Sequence, residues 1–394
     1  MRALPTFAVL LSATSMRGVF GHNSSSCTGE NAVNFDCISN EIGMTRDVFY
    51  VGGGYAYSST YKSEIYSEQM YVEKLVPVNG STQSHPLVFI NAGVPSGAGW
   101  LNTPDGRTGW ASYFIGKGYA VYIVDITGVG RSSQNVFSEW PLKIGSDVNI
   151  TEDDYTAPEI LMAYPQAVNH TLWPGNGTKG DPYFDAFSRS ILPLTSNSTA
   201  QEVSMRAAGC QLLQMIGRQA YIISHSAGSS YPILMSDQCP DLIKGNINLE
   251  PGNTPFQNLV GNSTVAGVGY APARPCGLTS TLIGYDPPIT NCSQLQTTVV
   301  GKDTPGNRSC YMQTSPARTL PNVAKVPYVA ITGAASPHIT YDHCTVWYLE
   351  QVGVEVEWIK LGELGMQGNG HFLYMERNHL VVAGVVEGWI IRRG

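Results

Sequence analysis

Residues 219–235 read QAYIISHSAGSSYPILM. A β-branched apolar run leads into Ser226, the small residues Ala227 and Gly228 follow, and a second apolar run starts at Tyr231. That order describes a strand, a sharp turn and a helix. A serine at such a turn faces the N-terminus of the helix behind it, where free N–H groups favour negative charge. The residues two positions either side must be small. Here they are Ser224 and Gly228, with serine where glycine is usual. The competing reading is a buried strand that ends in an ordinary turn, and the motif alone leaves the two level.

Around this stretch, from about Pro86 onward, short apolar runs alternate with longer helical patterns, which predicts a mostly parallel sheet with helices on both faces. Strands are expected at 86–93, 119–126, 219–226, 243–250, 326–333 and 354–361, and an antiparallel hairpin region before them. Helices are expected at 109–117, 200–216, 231–236, 342–352 and 377–391. Two long segments break the rhythm. Residues from about 134 to 198, rich in Trp, Pro and Tyr, read as a cap, and 251–322 form a second insertion. Both leave the sheet at the carboxyl ends of strands, where such sheets bind ligands.

A serine nucleophile needs an imidazole as base, and the imidazole needs a carboxylate. The loop after the strand VPYVAITG is a familiar place for the acid, but it holds no carboxylate before Asp342, the reserve candidate for the acid, whose expected role is helix N-capping. One strand earlier, GNINLEPG ends in Glu250 followed by Pro251 and Gly252, a position that opens onto a cleft. The base should precede the final helix, and GNGHFLYMERN supplies His371, with Gly368 and Gly370 leaving it room to approach the serine. His338 and His343 flank the preceding loop and are read as lining residues, with His338 assigned to substrate. His225 should point away from Ser226 and serve structure. An oxyanion hole needs two preorganised N–H groups. Ala227 is expected to give one, and Gly93 or Val94, in the loop NAGVPSGAGW, the other. Trp100, beside that loop, is assigned to substrate contact.

With these residues assembled, the chain from about Gly43 to Trp389 resembles the α/β-hydrolase fold and, within it, the bacterial esterase subgroup with its secreted fungal relatives. The resemblance is carried by NAGVPSGAGWLNTPDGRTGWASYFIGKGYAVYIVDITGVGRSS, SHSAG, NLEPG, YDHC and GNGHFLYMERN. In that subgroup the triad acid is a glutamate after the strand that follows the nucleophile strand. The resemblance therefore implies the triad Ser226, Glu250 and His371, with oxyanion donors near Gly93 and at Ala227. It implies hydrolysis of carboxylic esters through an acyl-enzyme and calls for no cofactor and no metal. The departures are NAGV in the oxyanion loop and Ser224 in the elbow; neither removes a required chemical group. Lactone or peptide hydrolysis on the same triad, and a binding protein that kept the fold but lost turnover, are the alternatives.

The remaining features bound the setting. A net charge of −7 without a run of Lys or Arg argues against a nucleic-acid partner. Residues 1–21 read as a secretory signal, cleaved after Gly21 or nearer Ser15, and 22–394 as a single domain. The apolar stretch Leu4–Leu11 is shorter than the roughly 20 residues that cross a bilayer, and Glu387 interrupts the apolar C-terminal run, so no stable membrane insertion is expected. Eight cysteines in an oxidising compartment predict disulfides, with Cys27–Cys37 the most local pair and Cys276–Cys292 the next. Glycosylation acceptors stand at Asn23, Asn79, Asn149, Asn169, Asn176, Asn197, Asn262, Asn291 and Asn307. The run TEDDY at 151–155 is read as a solvated charge cluster rather than a calcium site.

Overall fold

The computed structural model describes Cys27, Asn31 and residues 34–91, 94–136, 138–252, 254–259 and 270–394. The expected signal segment, Gly93, Asn23 and Asn262 lie outside the described residues.

Eight strands make the central sheet: β1 (Met44–Val51), β2 (Met70–Pro77), β3 (Leu87–Ile90), β4 (Val121–Val124), β5 (Ala220–Ser226), β6 (Ile243–Pro251), β7 (Tyr328–Thr332) and β8 (Val356–Lys360). Their spatial order is β1-β2-β4-β3-β5-β6-β7-β8. β2 runs antiparallel to both neighbours, and all other pairings from β4 to β8 are parallel. The expected hairpin region is this β1–β2 edge, with a smaller hairpin of Gly54–Ser58 on Ser63–Ser67 set between the two strands. Gly52 and Gly53, both at positive φ, make the turn into it.

The central strands are buried on both faces, so side-chain alternation sorts each into two layers. Leu87 and Phe89 of β3, with Tyr221 and Ile223 of β5, face α1 (Trp110–Gly116) and the C-terminal helix (His379–Arg393). Val88, Ile90 and Ile222 face the other way, onto the helices Ser198–Ile216, Ser230–Gln238 and Asp342–Gln351. With Pro182–Arg189 of the first insertion as α2, these become α3, α4, α5 and, for the C-terminal helix, α6. α3 starts where the Asn197 side chain accepts from Ala200 N at 3.1 Å and stops at Gly217, φ +72.

Disulfides brace the helical layer. Cys210–Cys239 joins α3 to the end of α4, Cys310–Cys344 ties the second insertion to α5, Cys276–Cys292 closes a loop within that insertion, and Cys27–Cys37 closes the N-terminal loop. Among the acceptor asparagines, Asn79, Asn149, Asn169, Asn176, Asn291 and Asn307 are exposed. Asn197 is committed to its helix cap, and its amide also donates to Glu139 O.

Candidate active site

Ser226 ends β5 with φ +51 and ψ −131, a conformation that costs roughly 1–3 kcal/mol outside glycine and persists only when its surroundings impose it. Here they do. β5 is held on both sides by parallel partners, Ser229 Oγ donates to the Ser226 carbonyl, and the same hydroxyl accepts from Gly252 N at 2.7 Å. Ser224, the departure from glycine, is fully buried and donates its hydroxyl to the Asn248 side chain on β6. Its extra atoms are thus absorbed as an inter-strand hydrogen bond. Ser226 opens onto a cavity of about 80 Å³ that is also lined by His371, His338, Tyr155 and Asp154.

Glu250 sits in an irregularity of the β5–β6 ladder: Leu249 pairs with His225 and Pro251 with Ser226, leaving Glu250 unpaired at φ +51. A bulge of this kind breaks the two-residue alternation and re-aims a side chain. The Glu250 carboxylate turns onto the loop after β7, where it accepts from Gly333 N at 2.6 Å and from Ser336 Oγ. Its Oε2 lies 3.5 Å from His371 Nδ1 and 3.7 Å from His338 Nδ1. Burial, and then the charge of Asp342, push the Glu250 pKa well above the carboxylate range. Burial first, then His225 and His338, hold the His371 imidazole well below the usual histidine value.

The loop that carries His371 is anchored from beneath. Buried Glu376 accepts from Gly370 N at 2.7 Å and from Asn369 Nδ2 at 2.6 Å, and His225 Nε2 donates to the His371 carbonyl at 2.9 Å. Burial lowers the His225 pKa to about 3, so its ring is neutral and can keep that donor tautomer. The His371 ring stacks with His338 (4.8 Å between centroids, 17° between planes) and with Tyr155 (4.8 Å, 27°).

Glu250, His338 and His371 place possible ligand atoms within 4.8 Å of one another. The two imidazoles are nearly parallel, so their in-plane lone pairs cannot converge on one ion, and the arrangement suits proton transfer better than chelation. In the other such group, Cys310 and Cys344 are joined in a disulfide and offer no thiolate.

No protein-family model matches the chain. It is 38% identical over 343 residues to the probable secreted lipase phiG of Fungal sp. (strain ATCC 74256), covering 87% of this chain and 88% of that one. This chain belongs to the same family. Among solved structures, a bacterial esterase described as novel matches with a TM-score of 0.58 and 19% identity, over 90% of this chain and 98% of the other, which shows the fold. A looser match, TM-score 0.43 at 12% identity over 89% and 84% of the chains, is to a fungal esterase from Rhizomucor miehei. The fold is that of the α/β-hydrolases, with the strand order and mostly parallel sheet described above. The disulfides agree with an extracellular location, as in the secreted relative.

In this α/β-hydrolase Ser226, His371 and His338 meet at one cavity, with Glu250 behind the histidines. Ala227 is exposed at the first position after the serine. Val94 is half-buried ahead of a cis bond to Pro95, and the Asn91 amide donates to the Pro95 carbonyl across that loop. Asp125, in DITGVGRSS, is structural: it accepts from Gly97 N at 2.8 Å and receives both ends of the Arg131 guanidinium at 2.8 and 2.9 Å.

Several expectations change. Trp100 is wholly buried and stacks on Phe89 and Tyr374 at 4.9 and 4.1 Å, so it packs the core and is not on the cavity wall. Asp342 is not a side-chain cap: its carboxylate turns inward to accept from Thr332 Oγ1 at 2.6 Å and His338 Nδ1 at 2.8 Å. His343 is committed to the Arg308 carbonyl at 2.9 Å. Gly370 makes room for the first insertion rather than for approach to the serine, since a Cβ there would come 2.8 Å from His170 Cδ2. The run TEDDY is not a solvated cluster, because its last two residues, Asp154 and Tyr155, line the cavity. Nothing in the charges of that run signals burial; the aromatic at its end was the available hint.

Proposed function

We propose that the protein is a secreted serine hydrolase of carboxylic esters. The carrying observation is that Ser226, on a strained strand-to-helix turn, opens onto the same small cavity as His371, whose Nδ1 lies 3.5 Å from the buried Glu250 carboxylate. Ser226 Oγ attacks the ester carbonyl carbon as His371 takes its proton, and the tetrahedral oxyanion is held by backbone N–H groups of Ala227 and of the Gly93–Val94 loop. His371 then protonates the departing alkoxide, water enters, and the same steps run again to release the acid and free the serine. Glu250 fixes the orientation of His371 and offsets the imidazolium charge. Once Glu250 is ionised, its burial strengthens that attraction, because the surroundings are less polar than water.

The first insertion serves as the cap. A largely apolar cavity of about 490 Å³, lined by Ile144, Val148, Ile191, Leu192 and Pro193 with Asp147 among its few polar neighbours, lies within it. It adjoins the oxyanion loop, since a Cβ on Gly145 would stand 3.0 Å from Val94 Cγ2. This cavity suits the hydrocarbon part of a lipid-like ester, in keeping with the lipase name of the fungal relative. The test is labelling of the purified protein with a fluorophosphonate and location of the adduct by mass spectrometry. A tag on Ser226, abolished in Ser226→Ala, is expected. Folded protein that takes no tag and cleaves no short-chain ester would leave a binding role instead.

A further inference from the structure

Asp154 is a carboxylate that the catalytic steps do not use, although it shares the cavity of Ser226 and His371. Its Oδ1 is buried and accepts no hydrogen bond among the described residues. No side chain or backbone group among the described residues supplies that oxygen with a donor, so its hydrogen bond must come from whatever occupies the cavity. The π-helical turn Thr151–Thr156 holds it there: Thr156 Oγ1 donates to the Gly177 carbonyl at 2.6 Å, and Tyr155 is stacked on His371. Burial, then the neighbouring Asp153, raise the Asp154 pKa to about 6, so above that pH the oxygen is anionic and seeks a donor.

The cavity's size limits what can supply that donor. By a measure in which a single water needs about 10–15 Å³, a space of about 80 Å³ takes a few waters or a fragment of a few heavy atoms. A hydrocarbon chain does not fit and belongs in the apolar cavity of the cap.

We propose that Asp154 determines specificity by accepting a hydrogen bond from a hydroxyl or ammonium group carried close to the scissile ester, so that the preferred substrate is an ester with a small donor-bearing head and an apolar remainder. The proposal rests on the ester-hydrolase reading above. A site built around a hydrogen bond rejects the analogue that lacks the donor far more strongly than an apolar pocket rejects one missing methylene, because the buried acceptor is then left bare.

The experiment compares matched esters on the full-length secreted protein: glycerol monobutyrate against propyl butyrate, propyl 3-hydroxybutyrate against propyl butyrate, and choline butyrate against 3,3-dimethylbutyl butyrate with 2-aminoethyl butyrate as the ammonium donor. Each is run on wild type, Asp154→Asn and Asp154→Leu. The expected result is a wild-type preference in kcat/KM of about 10-fold or more for a donor-bearing member, a partial loss in Asp154→Asn, whose amide oxygen still accepts, and a loss or reversal in Asp154→Leu. Hydroxyl and ammonium sources separate by which donor-bearing esters are preferred; choline, which carries charge without an N–H, separates charge from hydrogen bonding. A wild type that shows no preference in any pair overturns the proposal, as does an Asp154→Leu variant that still takes the phosphonate label but slows both members of each pair equally. A wild type that neither takes the label nor cleaves any of these esters sinks the ester-hydrolase reading, and this inference with it.

Discussion

The end of β6 and the first turn of α5 each bring one fully buried carboxylate to the same edge of the sheet, yet the two are put to different uses. Glu250 reaches its place through a bulge and a positive φ, and its Oε2 faces both His371 and His338. Asp342 reaches its place on a regular helix and is taken up by Thr332 and His338. Backbone strain accompanies the carboxylate that faces His371, and ordinary helix geometry accompanies the one held by Thr332 and His338. On the proposed triad, Asp342 would act through His338 and through its charge on Glu250, as a positioning residue.

The largest expected effect tests that division. Glu250→Gln should lower kcat by about 10³–10⁴, as loss of the orienting acid does in serine hydrolases, whereas Asp342→Asn should cost about 10-fold or less. Steady-state kinetics on one short-chain ester decides it. The reverse order would move the triad acid to Asp342. A pH profile sharpens the same comparison. Asp342 is the charge that, after burial, holds the Glu250 pKa up. Removing it lets Glu250 ionise at lower pH, so the acid limb of kcat/KM in Asp342→Asn should shift to lower pH. A limb that stays in place or moves toward alkaline pH would show that Asp342 does not act on Glu250.

A second pair of groups sets a smaller effect. Burial alone would lower the His170 pKa, but the hydrogen bond to Glu159, 2.6 Å from Nδ1, and the carboxylate of Glu376, 3.4 Å from Nε2, override it and raise the value to about 9. His170 belongs to the first insertion and Glu376 to the anchor of the His371 loop, so this imidazolium clips one to the other. A histidine raised from 6.5 binds its proton more tightly in the folded protein. Its stabilisation is complete below about pH 6.5 and is lost as pH rises through about 9. Thermal unfolding of His170→Gln and wild type should therefore differ at pH 6 by several degrees and converge above about pH 9.5. A gap that does not change with pH would mean that the ring matters for packing and not for charge.

Much of this frame was open to reading from the chain. Alternating apolar runs set out the sheet, and the break at Ser226, the charge at Glu250 and the glycine-flanked His371 marked groups that the fold gathers at one edge. What was closed to reading is what depends on contacts distant in sequence. Composition does not say that Tyr155 stacks on His371 and brings Asp154 to the same cavity, so the charges of that run read as solvated. Nor could it tell that Gly370 makes room for His170, or that Trp100 packs against Phe89 and Tyr374 instead of reaching the cavity. The helix start at Asp342 was legible, but the inward turn of its side chain depends on His338, which a parallel-sheet pattern does not locate.

The smallest expected effect separates packing from chemistry at the base. Tyr155 and His338 both stack with the His371 ring, but only His338 also lies 3.7 Å from Glu250. If Tyr155 acts as a wall, Tyr155→Phe preserves the stacked area and should leave kcat within about 2-fold, while Tyr155→Ala frees the imidazole to rotate and should lower kcat by about 10-fold with little change in the shape of the pH profile. His338→Phe keeps a ring in the other position but removes the imidazole that faces both carboxylates, so it should change the profile as well as the rate. Equal losses in Tyr155→Phe and Tyr155→Ala would assign the phenol hydroxyl a part in the reaction. A profile unchanged in His338→Phe would reduce His338 to the same role as Tyr155, and the two carboxylates would then be joined by charge alone.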